Sequence, residues 1–421
     1  GNNDKIWGWG SNFLGALGLG AASGDQLNPV PCANTNIFSK ISAGGNEFSI
    51  ALKPDGTLWS TGLNDYGELG IGSYVNKSSF TQIGVATNWQ TFSAGGLHTL
   101  ALKTDGTLWS WGGNSEGQLG NNTTVESTSP IQIGVAINWA MVSAGGYYFS
   151  AAIKTDGTLW TWGHDFYEEL GNGPVLGQQL IPTQIGIDTN WKTVSTGQYH
   201  SLALKTDGSL WAWGSNSYGA LGDGTTTTRP APIQIGSATD WDTIVAGSFA
   251  SYAIKTDGTL WSWGYNDYGQ LGDGTTVHKS VPTQIGSDTN WKEVSSKHGY
   301  YAIALKTDGS AWSWGLNMAG YLGDGTRTQR LSPVPITCPA ALGIEDFEKQ
   351  TASLYPNPSN GVFAIETTET INSIKAFDVL GKEISVKTIS NQKFSIEKSG
   401  IYLLKIALEN GQIINQKISI N

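Results

Sequence analysis

Residues 95–120 read GGLHTLALKTDGTLWSWGGNSEGQLG, and the chain repeats this stretch along most of its length. Its centre, K-T/P-D-G-T/S-x-W, recurs with aspartates at Asp55, Asp105, Asp156, Asp207, Asp257 and Asp308, at intervals of 50, 51, 51, 50 and 51 residues. After each copy come, with small variations, an aromatic-Gly step and the string N-x-x-G-x-L-G. The latter ends at Leu69-Gly70, Leu119-Gly120, Leu170-Gly171, Leu221-Gly222, Leu271-Gly272 and Leu322-Gly323. A seventh copy of this half opens the chain, where Trp7, Trp9 and Gly10 precede Leu17-Gly18, but the other half occurs only six times.

Within one unit, residues 130–133, 139–143, 149–154 and 158–163 read as four short strands. Asp156-Gly157 between the last two is a strong hairpin signal, pointing to a type I′ turn with positive φ at both central residues. Four strands in about 50 residues, with no helical period, describe one blade of a β-propeller, and seven units predict a seven-bladed ring. An open solenoid is the alternative, disfavoured because no capping repeats are seen. All eighteen tryptophans fall before residue 315, in pairs such as Trp109/Trp111 and singles such as Trp139. Residues two apart on a strand share a face, so the indoles are expected to be buried between blades.

The chain has 421 residues, of which 39% are apolar and only 14% charged, with 56 glycines. That length allows two or three domains. A mean hydropathy of −0.20 and the lack of any apolar run near 18 residues exclude a membrane-spanning helix. Twenty-four basic and 34 acidic side chains give net −10, which offers no footprint for nucleic acid phosphates or anionic lipid. Cys32 and Cys338 are too few for a disulfide scaffold. They follow PVP and PVPIT in nearly equivalent slots, so a clasp between them and two separate thiols both remain open.

Residues 95–120 match almost throughout the repeat of the regulator of chromosome condensation family, and the chain resembles that family over 1–338. The resemblance implies a seven-bladed propeller without implying one activity, because the family includes exchange factors, chromatin binders and secreted bacterial enzyme inhibitors. Beyond residue 338 tryptophan stops and the 50-residue period ends. Residues 339–352 read as a linker. Strands are then expected at 362–367, 373–379, 383–387, 393–396, 401–408 and 412–420, forming a small Ig-like β-sandwich over 353–421. LYPNPSNGVF at 354–363, AFDVLGKEI at 376–384 and GIYLLKI at 400–406 resemble the type A C-terminal sorting domain of the type IX secretion system. That resemblance implies a protein of a Gram-negative bacterium, secreted or held on the outer-membrane surface, with the secretion machinery as one partner. The opening GNNDKIWGWG does not read as a signal peptide. A secreted cargo with a half-repeat at its start is expected to lack roughly 20–30 preceding residues plus a signal. The closing blade would then be incomplete, with residues 332–337 supplying only an outer strand.

Catalytic chemistry is sought and not found. Gly113-Asn114-Ser115-Glu116-Gly117 fits G-x-S-x-G but lies in a repeat loop rather than a strand-to-helix elbow. The hairpin aspartates are explained by turn geometry. GDGT at Asp223, Asp273 and Asp324 offers only one carboxylate per blade to a cation. His98 and His200 share a repeat slot suited to packing or a local hydrogen bond, and His164, His278 and His298 show no metal spacing. No catalytic residue, cofactor or metal is therefore expected.

The D-G turns lie on one face of the disc and are nearly identical, whereas the loops on the other face vary. There the sequence concentrates Tyr66, Tyr147, Tyr148, Phe166, Tyr167, Tyr199, Tyr218, Phe249, Tyr268 and Tyr300, ringed by Asp65, Glu116, Glu168 and Asp267. Half-buried rings sealing the blade tops are the plainer reading, and a recognition surface for an extracellular protein or glycan is the functional one. The function expected is thus a non-catalytic secreted binding propeller. An inhibitor of an extracellular enzyme is the sharper alternative and a polysaccharide-active enzyme a further one. Guanine-nucleotide exchange is disfavoured by the secretion tail and by the propeller's 16 basic against 25 acidic residues.

Overall fold

The computed structural model describes residues 6–32, 37–174, 177–297, 299–337, 352–367, 370–378, 382–390, 392–409 and 413–421. The chain divides into two units, Gly1–Pro339 and Ala340–Asn421. In the first, six four-stranded antiparallel sheets follow one another. They span residues 40–82, 89–132, 139–184, 191–234, 241–284 and 291–335, and are numbered here as blades 1 to 6. Blade 2 is typical, with strands Trp89–Ala94, His98–Lys103, Leu108–Gly112 and Ser127–Gln132 side by side in chain order. First strands of successive blades touch one another, so the first strand lines the axis and the fourth forms the rim. A seventh, partial blade consists of Trp7–Gly10 paired with Gln26–Pro31.

The partial blade is seated by the same bonds that join complete ones. In blade 2 the Trp111 indole N–H donates to the Glu68 carbonyl of blade 1 at 2.8 Å. Trp9 likewise donates to Tyr321 O of blade 6 at 3.0 Å. Gly20 N donates to Ser78 O of blade 1 at 2.8 Å, and Gly325 N to Leu27 O at 2.9 Å. The ring therefore closes with seven sectors, and among the described residues the seventh shows two outer strands. Residues 330–335 form the outer strand of blade 6, not of the closing blade as the sequence suggested; that rim strand is Gln26–Pro31. In the first strand of blade 1 Ile41 is 47% exposed, whereas Phe92 in the equivalent place of blade 2 is 3% exposed.

Each interface between two complete blades buries one apolar cluster drawn from both. Ile50, Leu52, Leu58, Leu69 and Ile83 of blade 1 meet Trp89, Phe92, Ala101 and Trp111 of blade 2. The glycine of L-G lets the indole in, since a Cβ on Gly70 would lie 2.7 Å from Trp111 Nε1. The expectation that all eighteen indoles are buried fails for Trp7 and Trp9 in the seventh sector and for one indole in the third strand of each complete blade. Trp59, Trp109, Trp160, Trp211, Trp261 and Trp312 stay half-exposed. The lysine of K-T-D-G lies over each of these rings, as Lys103 Nζ does 3.8 Å from the Trp109 centroid.

The hairpin turn also differs from a type I′. Gly106 N bonds Lys103 O and Lys103 N bonds Thr107 O, while only the glycine has positive φ. This is a type I turn closed by a glycine in the left-handed region. Asp105 favours it because its Oδ1 accepts both the amide and the hydroxyl of Thr107, at 3.0 and 2.6 Å. The same hydroxyl then receives the Trp109 N–H at 2.9 Å. These bonds hold the carboxyl of Asp105 below its usual range.

The second unit pairs two four-stranded sheets, as an Ig-like sandwich requires. One runs Ala352–Tyr355, Val362–Thr367, Lys393–Ser395, Lys387–Ser390, and the other Glu383–Ile384, Ile371–Phe377, Gly400–Leu408, Ile413–Ile420. The sequence placed the first strand of this unit at 362–367, but Ala352–Tyr355 is already a strand, paired with Val362–Thr367. Along Gly400–Leu408 alternation is strict: Tyr402, Leu404, Ile406 and Leu408 enter the core while Ile401 and Leu403 face out.

Two substitutions test this packing. Trp111→Ala should cost about 3–5 kcal/mol in chemical denaturation. Gly96→Ala, whose Cβ would fall 1.4 Å from Gly146 O, should lower the melting temperature by roughly 5 °C or more, whereas Gly24→Ala, with nothing within 4 Å, should leave it unchanged.

Candidate functional site

The first strands converge on the axis, and their N–H groups need partners there. Serines of the S-A/T-G motif supply them. Ser93 Oγ accepts Ala144 N at 3.0 Å, Ser143 Oγ accepts Thr196 N at 3.0 Å, and Ser195 Oγ accepts Ala246 N at 2.9 Å. Above them the glycine loops bond from blade to blade: Gly45 N to Gly95 O, Gly96 N to Gly145 O, and Gly146 N to Gly197 O, at 2.7–3.1 Å. Lys297 reaches across the axis and donates to Ala144 O at 3.0 Å; its burial lowers the ammonium pKa to about 8. This belt fixes the loops that carry Tyr147, Tyr148, Tyr199, Phe249 and Tyr300.

The second set of loops is fixed by the asparagine after W-G-x. Asn114 Oδ1 accepts Leu119 N at 2.9 Å, and its amide donates to Thr123 O and Val125 O at 2.9 Å. Asn216, Asn266 and Asn317 repeat the arrangement. The tips of these loops bear Tyr66, Phe166, Tyr167, Tyr218 and Tyr268.

Together the two sets form a continuous aromatic band across blades 3 to 6. Tyr147 meets Tyr148 at 5.7 Å between ring centroids, and His164 joins Tyr148 to Phe166 and Tyr167. Tyr167 meets Tyr199 at 4.6 Å, Tyr199 meets Phe249 at 5.5 Å, and Phe249 meets Tyr218 at 5.5 Å. Tyr268 and Tyr300 end the band, 5.6 Å apart. Nine of the ten aromatic residues singled out in the sequence thus lie in one band. Tyr66, in blade 1, is exposed and is not among the rings the band joins.

Three members were not anticipated. Tyr265 touches Tyr218, Phe249, Tyr268, Tyr300 and His278. His164 and Tyr265 occupy one slot after W-G, which reads Ser11, Leu63, Gly113, His164, Ser215, Tyr265, Leu316 around the ring. Its variability was the available signal. His278 Nδ1 accepts Asn266 N at 3.0 Å, the bond that Asn76 Oδ1 makes with Asn64 N in blade 1. The two repeat-slot histidines are structural: His98 and His200 are buried and bond Ser150 Oγ and Ser251 Oγ at 2.9 and 2.8 Å. Burial drops their pKa to about 3 and about 4.

Asp223 and Asp324 are occupied within the protein by Arg229 and Arg330. No group of three metal-ligating side chains occurs among the described residues. Cys32 Sγ donates to Leu17 O at 3.0 Å; Cys338 and His298 lie outside the described residues. A cleft of about 300 Å³ opens between blades 5 and 6, beside Asp288, Trp291 and Trp312. The aromatic band itself is an open surface, a geometry suited to a macromolecule.

The first unit matches the RCC1-like domain over residues 5–353. The chain belongs to this family. Residues 353–421 match the secretion system C-terminal sorting domain, and the RCC1-like propeller is thereby part of a secreted protein. The ultraviolet-B receptor UVR8 of Arabidopsis thaliana is 28% identical over 234 residues, covering 54% of this chain and 41% of that receptor. The human E3 ubiquitin-protein ligase HERC2 is 32% identical over 234 residues, covering 53% of this chain but 5% of the ligase. The chain thus spans well under half the length of these curated relatives. Among solved structures, human WBSCR16 aligns with a TM-score of 0.71 at 23% identity, over 80% of this chain and 95% of that one. Yeast RCC1 (Prp20) bound to Kap60 gives 0.71 at 20%, over 83% and 85%. These likenesses establish the fold.

One loop of the face departs from the repeat. Asp165 stands where other blades have asparagine, and its Oδ1 accepts Leu170 N at 3.1 Å. Its second oxygen cannot donate while ionised. Burial, reinforced by Glu169 and Glu168, raises its pKa to about 7, against roughly 3.9 in an unfolded chain. The folded state therefore holds the extra proton, and the resulting stability is complete below pH 4 and lost as pH rises through 7. Asp165→Asn should stabilise the protein by on the order of 2 kcal/mol at pH 8 and little at pH 4, measured by denaturant titration at both values.

Proposed function

We infer that this secreted propeller is a non-catalytic recognition module that grips an extracellular macromolecule, protein or glycan, on its aromatic face. The observation that carries this reading is the unbroken band from Tyr147 to Tyr300, assembled from loops that vary while the opposite face repeats. Tyrosine gives large, rigid contact area with a polar tip, the composition of binding hot spots. Partial exposure supports it: Phe166, Tyr167 and Tyr218 are 58%, 49% and 38% exposed. Rings needed only to seal the blade tops would be covered further.

The sorting domain supports export across the outer membrane of a Gram-negative bacterium, with release or surface attachment. An inhibitor of an extracellular enzyme is the sharper form of this function, because it too needs a broad rigid face. A polysaccharide-active enzyme would need carboxylates converging at one point. Asp65, Glu116, Glu168 and Asp267 instead stand on four different blades.

The purified chain, applied to a glycan array and to a secreted-protein extract, should retain a ligand. The double variant Tyr218→Ala/Tyr268→Ala should lose at least about 10-fold in affinity. Retention that survives this change, or turnover of any polymer on the array, would contradict the reading.

A further inference from the structure

We propose that the aromatic face receives an arginine or lysine side chain of a polypeptide partner, held at Asp267 among the rings of Tyr218, Tyr265 and Tyr300. This rests on the reading of the face as a recognition surface and names the chemistry of what it recognises.

Three observations lead to a cation. The first is ring orientation. Tyr265 meets Tyr218 at 4.9 Å and 63°, Phe249 at 6.2 Å and 62°, and Tyr300 at 6.4 Å and 73°. Steeply inclined rings give no coplanar platform on which a sugar could stack. They turn negative π-faces in several directions, the arrangement that attracts a cation. The second is the carboxylate at the edge of this group. Asp267 is 58% exposed, and its Oδ2 accepts the Tyr265 hydroxyl at 2.9 Å. That bond draws electron density into the ring whose face the cation would meet. Burial together with the Asp267 charge keeps the phenol protonated well above its usual range.

The third is charge balance. Most basic groups near the band on this side of the disc are already engaged: Arg229 with Asp223, Lys279 with Asp273, Arg330 with Asp324, Arg327 with Asp25, and Lys297 with Ala144 O, while Lys77 stands away from it on blade 1. By contrast, no lysine or arginine ion pair reaches Asp267, Asp65, Glu116 or Glu168 among the described residues. The imidazole nearest Asp267 is His278, with Nε2 3.7 Å from Oδ1. His278 Nδ1 accepts the Asn266 N–H, which leaves Nε2 as the ring atom turned toward this carboxylate. Guanidinium suits the place better than ammonium, since it can stack on a phenol ring while its N–H fork meets a carboxylate.

The test uses the full chain and two capped twelve-residue peptides of glycine and serine. One carries four arginines and the other four citrullines, which keep the shape and remove the charge. The arginine peptide should bind by isothermal titration, at least ~10-fold more tightly than the citrulline peptide, and more weakly at 300 than at 50 mM salt. Asp267→Asn, at an exposed position, and Tyr265→Leu should each weaken it at least ~5-fold. Asp242→Asn, an exposed carboxylate on the uniform face, should have no effect. Equal binding of the two peptides, no binding of either, or equal loss from Asp242→Asn and Asp267→Asn would overturn the proposal. If a glycan or protein is still captured in a Tyr218- and Tyr268-dependent way while the arginine peptide fails, the recognition face stands and the cation is wrong. If capture ignores those tyrosines as well, both readings fall.

Discussion

The fold depends on one bond repeated around the ring, from the indole N–H of one blade to a loop carbonyl of the blade before it. Trp111, Trp162, Trp213, Trp263 and Trp314 each donate it at 2.7–2.9 Å in full burial. A buried N–H that found no acceptor would cost more than the bond contributes, so the indole fixes the neighbour's loop as well as filling space. Two adjacent demands follow. The residue after the conserved leucine must be glycine, because the indole occupies the place of its Cβ. The asparagine must hold that loop closed, so that the carbonyl stays aimed at the indole.

The exception shows how the bond can be replaced. Blade 1 has Thr61 where the others have tryptophan. Its hydroxyl proton is shared between Gly15 O of the seventh sector at 2.9 Å and Lys77 O of its own blade at 2.8 Å, and the missing ring volume is filled from the rim strand. Phe80 is buried there and approaches Gly18 as Trp111 approaches Gly70, with ring carbons 2.7–2.8 Å from where a Cβ would stand. Hydrogen bond and volume, joined in one side chain elsewhere, are divided between two residues here. A substitution at either alone would leave half of the interface unsatisfied.

Features set by local sequence were legible, and features set by contacts between blades were less so. The 50-residue period, the Trp pairs and the alternation in the tail give the ring, the interfaces and the sandwich, because each depends on residues a few positions apart. The turn type was misread because Asp-Gly alone favours I′, whereas the threonine two residues after Asp105 captures the carboxylate and selects the type I form. The aromatic band is different in kind. Tyr167 and Tyr199, or Tyr218 and Tyr265, meet only because adjacent blades bring separate loops together. Tyrosine counting found most members. Tyr265 and His164 escaped it because their slot holds serine, glycine or leucine elsewhere.

The distribution of bonds across a blade also explains how the ring closes around a sector with only two strands. The indole bond leaves from the third strand, the carbonyl that accepts it lies in the loop beyond, and the Gly72 N to Thr128 O type of contact joins that loop to the next rim strand. All three belong to the outer half of the blade, which the partial sector keeps. The serine and glycine bonds belong instead to the inner half of a blade and run along the axis. The rim contacts thus run through every sector, while the hub bonds among the described residues run from blade 1 round to blade 5. Lys297 bonds across the axis from blade 6 to Ala144 of blade 3, a tie that belongs to the hub. The aromatic band occupies blades 3 to 6, the arc this lysine spans, and so rests on the part of the hub that is both belted and cross-braced.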